Sequence, residues 1–173
     1  MGTSAIVAGS DDALQRAFSG LSLALDGSMF IVTATACGER SGCLIGFGTP
    51  CSVDPQRFLA CISKVNHTHG VALAATHLAV HIVPAGGDEL AELFGGQTGD
   101  EVDKFARCAC SEGPHGTTLL DGCPNRFVGA VLGRFDVGDH TAMLLDPVWA
   151  EHRDGDPGLR FGVAKEIAPG HPA

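Results

Sequence analysis

The sequence predicts a mainly β protein, a closed or nearly closed antiparallel barrel with a few short peripheral helices. Short runs rich in β-branched and aromatic residues recur at close spacing, turn residues separate them, and the helical stretches between them are brief. A parallel α/β sheet would need a crossover helix between successive strands, and this order of elements does not supply one.

The elements follow in order. Residues 12–26 place Leu14, Ala17, Phe18, Leu21 and Leu25 at spacings of three and four, behind a cap at Ser10 or Asp11, which predicts one amphipathic helix. The run MFIVTAT at 29–35, the turn at Cys37–Ser41 and the run GCLIGFG at 42–48 predict a hairpin. Asp54-Pro55 breaks the chain before a strand at 57–63, since proline lacks the donor that a central strand needs. Residues 69–77 read as helix, 78–83 (LAVHIV) as a buried strand, and 87–95 as a short helix with its acids at the favourable end of the dipole. Two long strands at 126–136 and 140–150 are joined by Val137-Gly138-Asp139, with glycine supplying the turn. Fraying is expected after about residue 165.

Composition narrows the function. A chain of 173 residues fits a single domain, 1–173, with its core at about 12–150. The net charge is -9 with only 11 Lys and Arg, so nucleic acid is excluded as a partner, because such affinity rests on basic residues displacing counterions. No apolar run is long enough for a spanning helix and no leader pattern opens the chain, so a soluble cytoplasmic protein without membrane contact is expected. Seven cysteines scattered through apparent strands fit free thiols in a reducing compartment. Cys108, Cys110, His115 and Cys123 do not follow the spacing of a zinc site, and no metal is expected. No GxSxG supports hydrolysis, and no GxGxxG supports a Rossmann nicotinamide site.

The succession SMFIVTA (28–34), CSVDP (51–55), RFLACISKVNHT (57–68), LAVHIV (78–83), DKFA (103–106), LLDGCP (119–124) and GDHT (138–141) resembles the flavin reductase family with its FMN-binding split barrel. The likeness covers nearly all of residues 12–150, in family order and spacing. It implies an antiparallel split β-barrel that forms a homodimer with FMN, or alternatively FAD, at the subunit interface. It implies hydride transfer from NADH or NADPH to the flavin, and supply of reduced flavin to a partner monooxygenase.

The resemblance also implies site residues. Ser63, Lys64, Asn66, His67 and Thr68 match the family's phosphate segment, where Lys64 brings charge and a helix start offers unpaired amides to an anion. On the residues alone, Thr68 is equally a helix cap and Lys64 a solvated charge. Gly46, Phe47, Gly48, Thr49, Pro50, Cys51 and Ser52 match the segment beside the isoalloxazine ring, and the glycines let the backbone approach a planar ligand. Here the chain departs from the family: Leu44, Gly46 and Phe47 stand where Thr, Asn or Ser, and Ser are usual, so backbone amides would replace side-chain bonds, or the ring would be a deazaflavin or haem. The same run also reads as a buried strand with a glycine bulge. Lys104 and Phe105 match the family's DKF near the flavin, with Lys104 a phosphate or carbonyl contact or else a surface charge. His140 matches the nicotinamide-side histidine, positioned to hold the donor rather than to act as a base. The pair His67 and His69 either assists a phosphate or is simply solvated, and His115, His152 and His171 receive no role.

Three functions are weighed. A flavin reductase predicts flavin reduced by nicotinamide; a non-catalytic flavin, deazaflavin or haem binder predicts a ligand without turnover; an interaction domain with a vestigial pocket predicts no saturable binding.

Overall fold

The computed structural model describes residues 11–168 and residue 170; Ser10 and His171 lie outside the described residues. The elements run α1 (Asp11–Leu25), β1 (Phe30–Ala36), β2 (Glu39–Ile45), β3 (Gly48–Val53), β4 (Gln56–Ser63), α2 (His67–Ala74), β5 (His77–Ile82), α3 (Asp88–Gly95), β6 (Cys110–Glu112), β7 (Thr118–Leu120), β8 (Arg126–Asp136), β9 (His140–Glu151) and α4 (Phe161–Ala164). Seven strands form one antiparallel sheet in the order β2-β1-β5-β8-β9-β4-β3, and β6 pairs with β7 separately. Strands β2 and β3 are the two edges, yet only Gly46 and Phe47 separate them in sequence. A link that short spans at most about 10 Å. The sheet therefore curls until its edges face each other, and it is a barrel split along that seam.

The β1–β2 hairpin turns at Cys37-Gly38, where both residues hold positive φ (53° and 81°), the conformation that suits the twist of a two-residue hairpin loop. β1 is buried on both faces from Phe30 to Ala34, and the one polar side chain there, Thr33, donates its hydroxyl to the Thr118 carbonyl. Phe30, Val32 and Ala34 point into the barrel with Phe58, Ala60, Ile62, Leu78, Val80, Met143 and Leu145. Met29 and Ile31 point the other way, into a second core with Val83, Phe94, Phe105, Leu120 and Leu159. Inside the barrel, Phe58 meets Phe30 and Phe127 edge to face at 5.4 and 5.1 Å.

Several boundaries differ from the sequence reading, each for a local reason. α2 starts at His67, two residues before the expected 69, because the Asn66 side chain accepts from Thr68 N–H and caps the helix. Thr68 is thus inside the helix and is not its cap. In the tail after residue 165, where fraying is expected, Ile167 N–H donates to the Ala164 carbonyl and Gly170 N–H to that of Gly95, while residues 169 and 171–173 lie outside the described residues. α1 forms as read but buries none of its residues: Leu14, Phe18, Leu21 and Leu25 are 56–82% exposed. The short hairpin β6–β7 lay outside the sequence reading because its strands of three residues are too brief to show periodicity.

His81 fastens this hairpin to the barrel. Its ring is fully buried, Nε2 accepts from Leu120 N–H at 3.0 Å, and Nδ1 therefore carries the proton that it donates to the Ile31 carbonyl, also 3.0 Å away. Both nitrogens are committed to a neutral ring. Burial pushes its pKa down to about 4 from 6.5.

The unfolded chain accepts this proton at a pH where the folded chain refuses it. The contribution of the neutral ring is complete above pH 6.5 and is lost as pH falls from there toward 4, by about 3 kcal/mol in all. Urea unfolding at pH 7 and pH 4.5 should show this slope. His81→Leu should flatten the slope while costing about 1–3 kcal/mol at pH 7 for the unpaired Leu120 amide, and an unchanged slope would contradict the assignment.

Candidate functional site

Two neighbourhoods contain the residues that the sequence singled out. The first lies where β4 ends and β9 begins, at the seam. Ser63 pairs in register with His140, and Lys64 N–H donates to the Asp139 carbonyl. The Phe47 ring stands edge-on to the His140 ring, with centroids 5.3 Å apart. The His140 Nδ1 meets the Asp139 carboxylate at 2.7 Å, which orients the imidazole and, with its charge, holds the Asp139 carboxyl below the usual range. Lys64 Nζ donates to Asp136 at 2.9 Å and lowers that carboxyl in the same way. His69 Nε2 lies 2.9 Å from the Thr141 hydroxyl, and burial lowers its pKa, so the reading of two idle imidazoles at 67 and 69 does not hold.

Of the ring-side segment, Phe47 is anchored by its carbonyl, which accepts from Cys61 N–H. Thr49 turns its hydroxyl onto the Pro50 carbonyl. Pro50 and Cys51 sit on the exposed edge strand β3, with Ser52 half-buried beyond a bulge. Gly46 and Gly48 pass close to aromatic rings: a Cβ at Gly46 would lie 3.2 Å from Phe161, and one at Gly48 would lie 3.1 Å from Phe30. The glycines are there for packing as well as for any ligand. Leu44 turns into the second core beside α3.

The second neighbourhood is a cavity of about 420 Å³ between the β1–β2 hairpin, the start of α2 and residues 99–105. Arg40, Ser41, His67, Asp103, Lys104 and Phe105 line it. Arg40 lies over the Phe105 ring at 4.7 Å. Lys104 is only 4% exposed, which rules out a surface charge; its ammonium donates to the carbonyls of Gly42 and Phe94, both at 3.2 Å. Burial lowers its pKa. The buried Thr68 hydroxyl is 2.9 Å from that of Ser41, joining α2 to β2. Asn66 already satisfies the amides of Thr68 and His69.

His67 bridges three elements, with Nε2 2.7 Å from Glu39 on β2 and Nδ1 2.6 Å from Asp100. Its bond to Glu39 and the charge of Asp100 raise its pKa. Sequence reasoning did not reach these carboxylates, because Glu39 and Asp100 are far apart along the chain and neither belongs to a motif. His115, given no role, stacks on His77 with centroids 3.9 Å apart, and His152 sits between Asn125 and Asp154. Among the described residues, no group of three or more His, Cys, Asp or Glu is placed to hold a metal.

Comparison with known proteins places this geometry. A family profile, the flavin reductase like domain, matches residues 24–163. The FMN reductase (NADH) SmoA of Agrobacterium fabrum is 30% identical over 129 residues, which is 73% of this chain and 71% of SmoA. The FMN-binding protein from Thermus thermophilus, solved with bound 1-cyclohex-2-enone, superposes with a TM-score of 0.70 at 26% identity, covering 75% of this chain and 72% of that one. The NADH:FAD oxidoreductase SgcE6 of Streptomyces globisporus C-1027 shares the fold, with a TM-score of 0.77 at 24% identity over 90% of this chain and 91% of that one.

The His67 bridge gives the cavity wall a pH dependence of known sign. Its folded pKa is raised, so the charged bridge is in place at low pH and weakens as pH rises past 6.5 through the folded value. Amide hydrogen exchange at residues 98–103, corrected for intrinsic rates, should speed up on going from pH 6 to pH 9. His67→Ala should show fast exchange at both, and protection that is the same at both pH values in the native protein would contradict the bridge.

Proposed function

This chain belongs to the flavin reductase like family, and from that premise we propose that it is a flavin reductase that uses NADH. The observation that carries the reading is the extent of the family match, residues 24–163, which takes in every strand of the split barrel. When bound, the flavin supplies the atom that accepts hydride and the nicotinamide supplies the hydride.

The residues at the seam have the chemistry to hold such a ligand. Lys64 supplies a cation beside the first turn of α2, and a phosphate there would share its ammonium with Asp136. Ser63 stands at the same place through its register with His140, while Asn66 caps α2, His67 turns to the cavity where Glu39 and Asp100 hold it, and Thr68 holds α2 against β2. Gly46 through Ser52 run along the ring, with main-chain groups as its polar partners. His140, held by Asp139 through Nδ1, leaves Nε2 to position the donor. Lys104 and Phe105 act at one remove, fixing the Gly42 backbone and stacking under Arg40.

The chain functions as one domain, and its partner in our reading is a second copy of itself. The outward face of the sheet is apolar: Leu59 pairs with Leu144, and Cys61 with Ala142, which pairs with Phe135. Leu132, Phe135 and Val137 nearby are 52–54% exposed. Lys64 and His140 lie beside this face, so a dimer through it would bury the ligand between subunits. Reduced flavin reacts readily with dioxygen, so the product is best delivered to an oxygenase. Among the described residues, no helix is long and apolar enough to cross a membrane. Seven unpaired thiols suit the cytoplasm.

An anaerobic absorbance spectrum with FMN tests the activity: a catalytic amount of protein should bleach the flavin band with NADH, with NADPH run alongside to set the donor preference. Binding without bleaching would favour a carrier of flavin or deazaflavin, and no binding would remove the flavin assignment. Lys64→Ala should weaken FMN about tenfold, the worth of one charge-assisted phosphate contact, and leave riboflavin unaffected. Equal losses for both ligands would remove the phosphate role.

A further inference from the structure

We propose that Phe47 is the platform on which the isoalloxazine ring lies, so that stacking supplies the ring affinity where Leu44, Gly46 and Thr49 offer no side-chain hydrogen bond. The proposal rests on the flavin reading above and adds the source of ring affinity.

Four features converge on Phe47. The residue is 57% exposed and lies at the seam between the two edge strands. The exposed ring is nevertheless held in place, because the main chain beneath it is bonded to Cys61 and its neighbours Gly46 and Gly48 are pressed against Phe161, Phe30 and Phe58. The Phe47 and His140 rings meet at an interplanar angle of 67°. A contact of this geometry uses at most one face of Phe47 and leaves the other for a second aromatic partner.

The fourth feature is what surrounds it. Leu44 is packed into the second core and Gly46 has no side chain, so neither reaches a ring edge with a donor. Thr49 is turned onto its own neighbour. Stacking is indifferent to the pattern of donors and acceptors around a heterocycle, whereas edge hydrogen bonds are not. A site built on Phe47 therefore binds flavins with different tails and substituents at similar strength, apart from the phosphate contribution of Lys64.

Titration of the whole chain with FMN and with riboflavin, followed by flavin fluorescence, tests this in the native protein and in Phe47→Ala, Phe47→Leu and Phe47→Trp. Phe47→Ala should weaken both flavins by the same factor, about tenfold. Phe47→Leu should behave like Phe47→Ala, while Phe47→Trp should restore affinity and quench the bound flavin more strongly than the native protein. If Phe47 served only to fill space, Leu would rescue and Trp would not, and that pattern would overturn the proposal. Native affinity in Phe47→Ala, or a loss confined to FMN, would also overturn it while leaving the reductase reading intact. A native protein that binds neither flavin would overturn both.

Discussion

The barrel is governed by one constraint: its two edge strands are consecutive in sequence and joined by two residues, so the sheet between them must curl into a nearly closed ring. Everything near the seam follows. Gly48 passes against Phe30 and Phe58, where a side chain would crowd both rings, and Phe47 is left exposed. The same closure brings the end of β4 beside the start of β9, so Ser63, Lys64, Asp139 and His140 become neighbours although more than seventy residues separate the two pairs.

The long strands of the barrel were legible because burial on each face writes itself into sequence, whereas β2, expected at 42–48, runs Glu39–Ile45, and β3, read as a strand only in the alternative of a buried run, is an exposed edge. β8 at 126–136 agrees with its pattern to the residue, and β9 differs by one. The start of α2 was misplaced because histidine, threonine and asparagine at 66–69 each compete for the cap, and only geometry shows that the Asn66 oxygen reaches the Thr68 amide. α1 was legible as an amphipathic helix, but periodicity says nothing about what its apolar stripe meets, and among the described residues nothing buries it.

The site was legible in part. Motif order brought Phe47, Lys64 and His140 onto one list, and the fold places them around one corner. Lys104 was ambiguous because lysine is usually solvated; its burial depends on the carbonyls of Gly42 and Phe94, which no local pattern announces. The His67 bridge was out of reach for a related reason, since both of its carboxylates come from other elements. Contacts between distant segments are set by closure of the sheet, and closure is a property of the whole chain.

His81 makes a different kind of demand on the chain's descent. A position that must donate to one main chain and accept from another at opposite ends of a flat, neutral ring has few tenants among the natural amino acids. Drift there is confined by the docking of β6–β7. A histidine retained at this place in a relative is therefore a mark of inherited architecture, and a search for catalytic groups by invariance alone would count it wrongly.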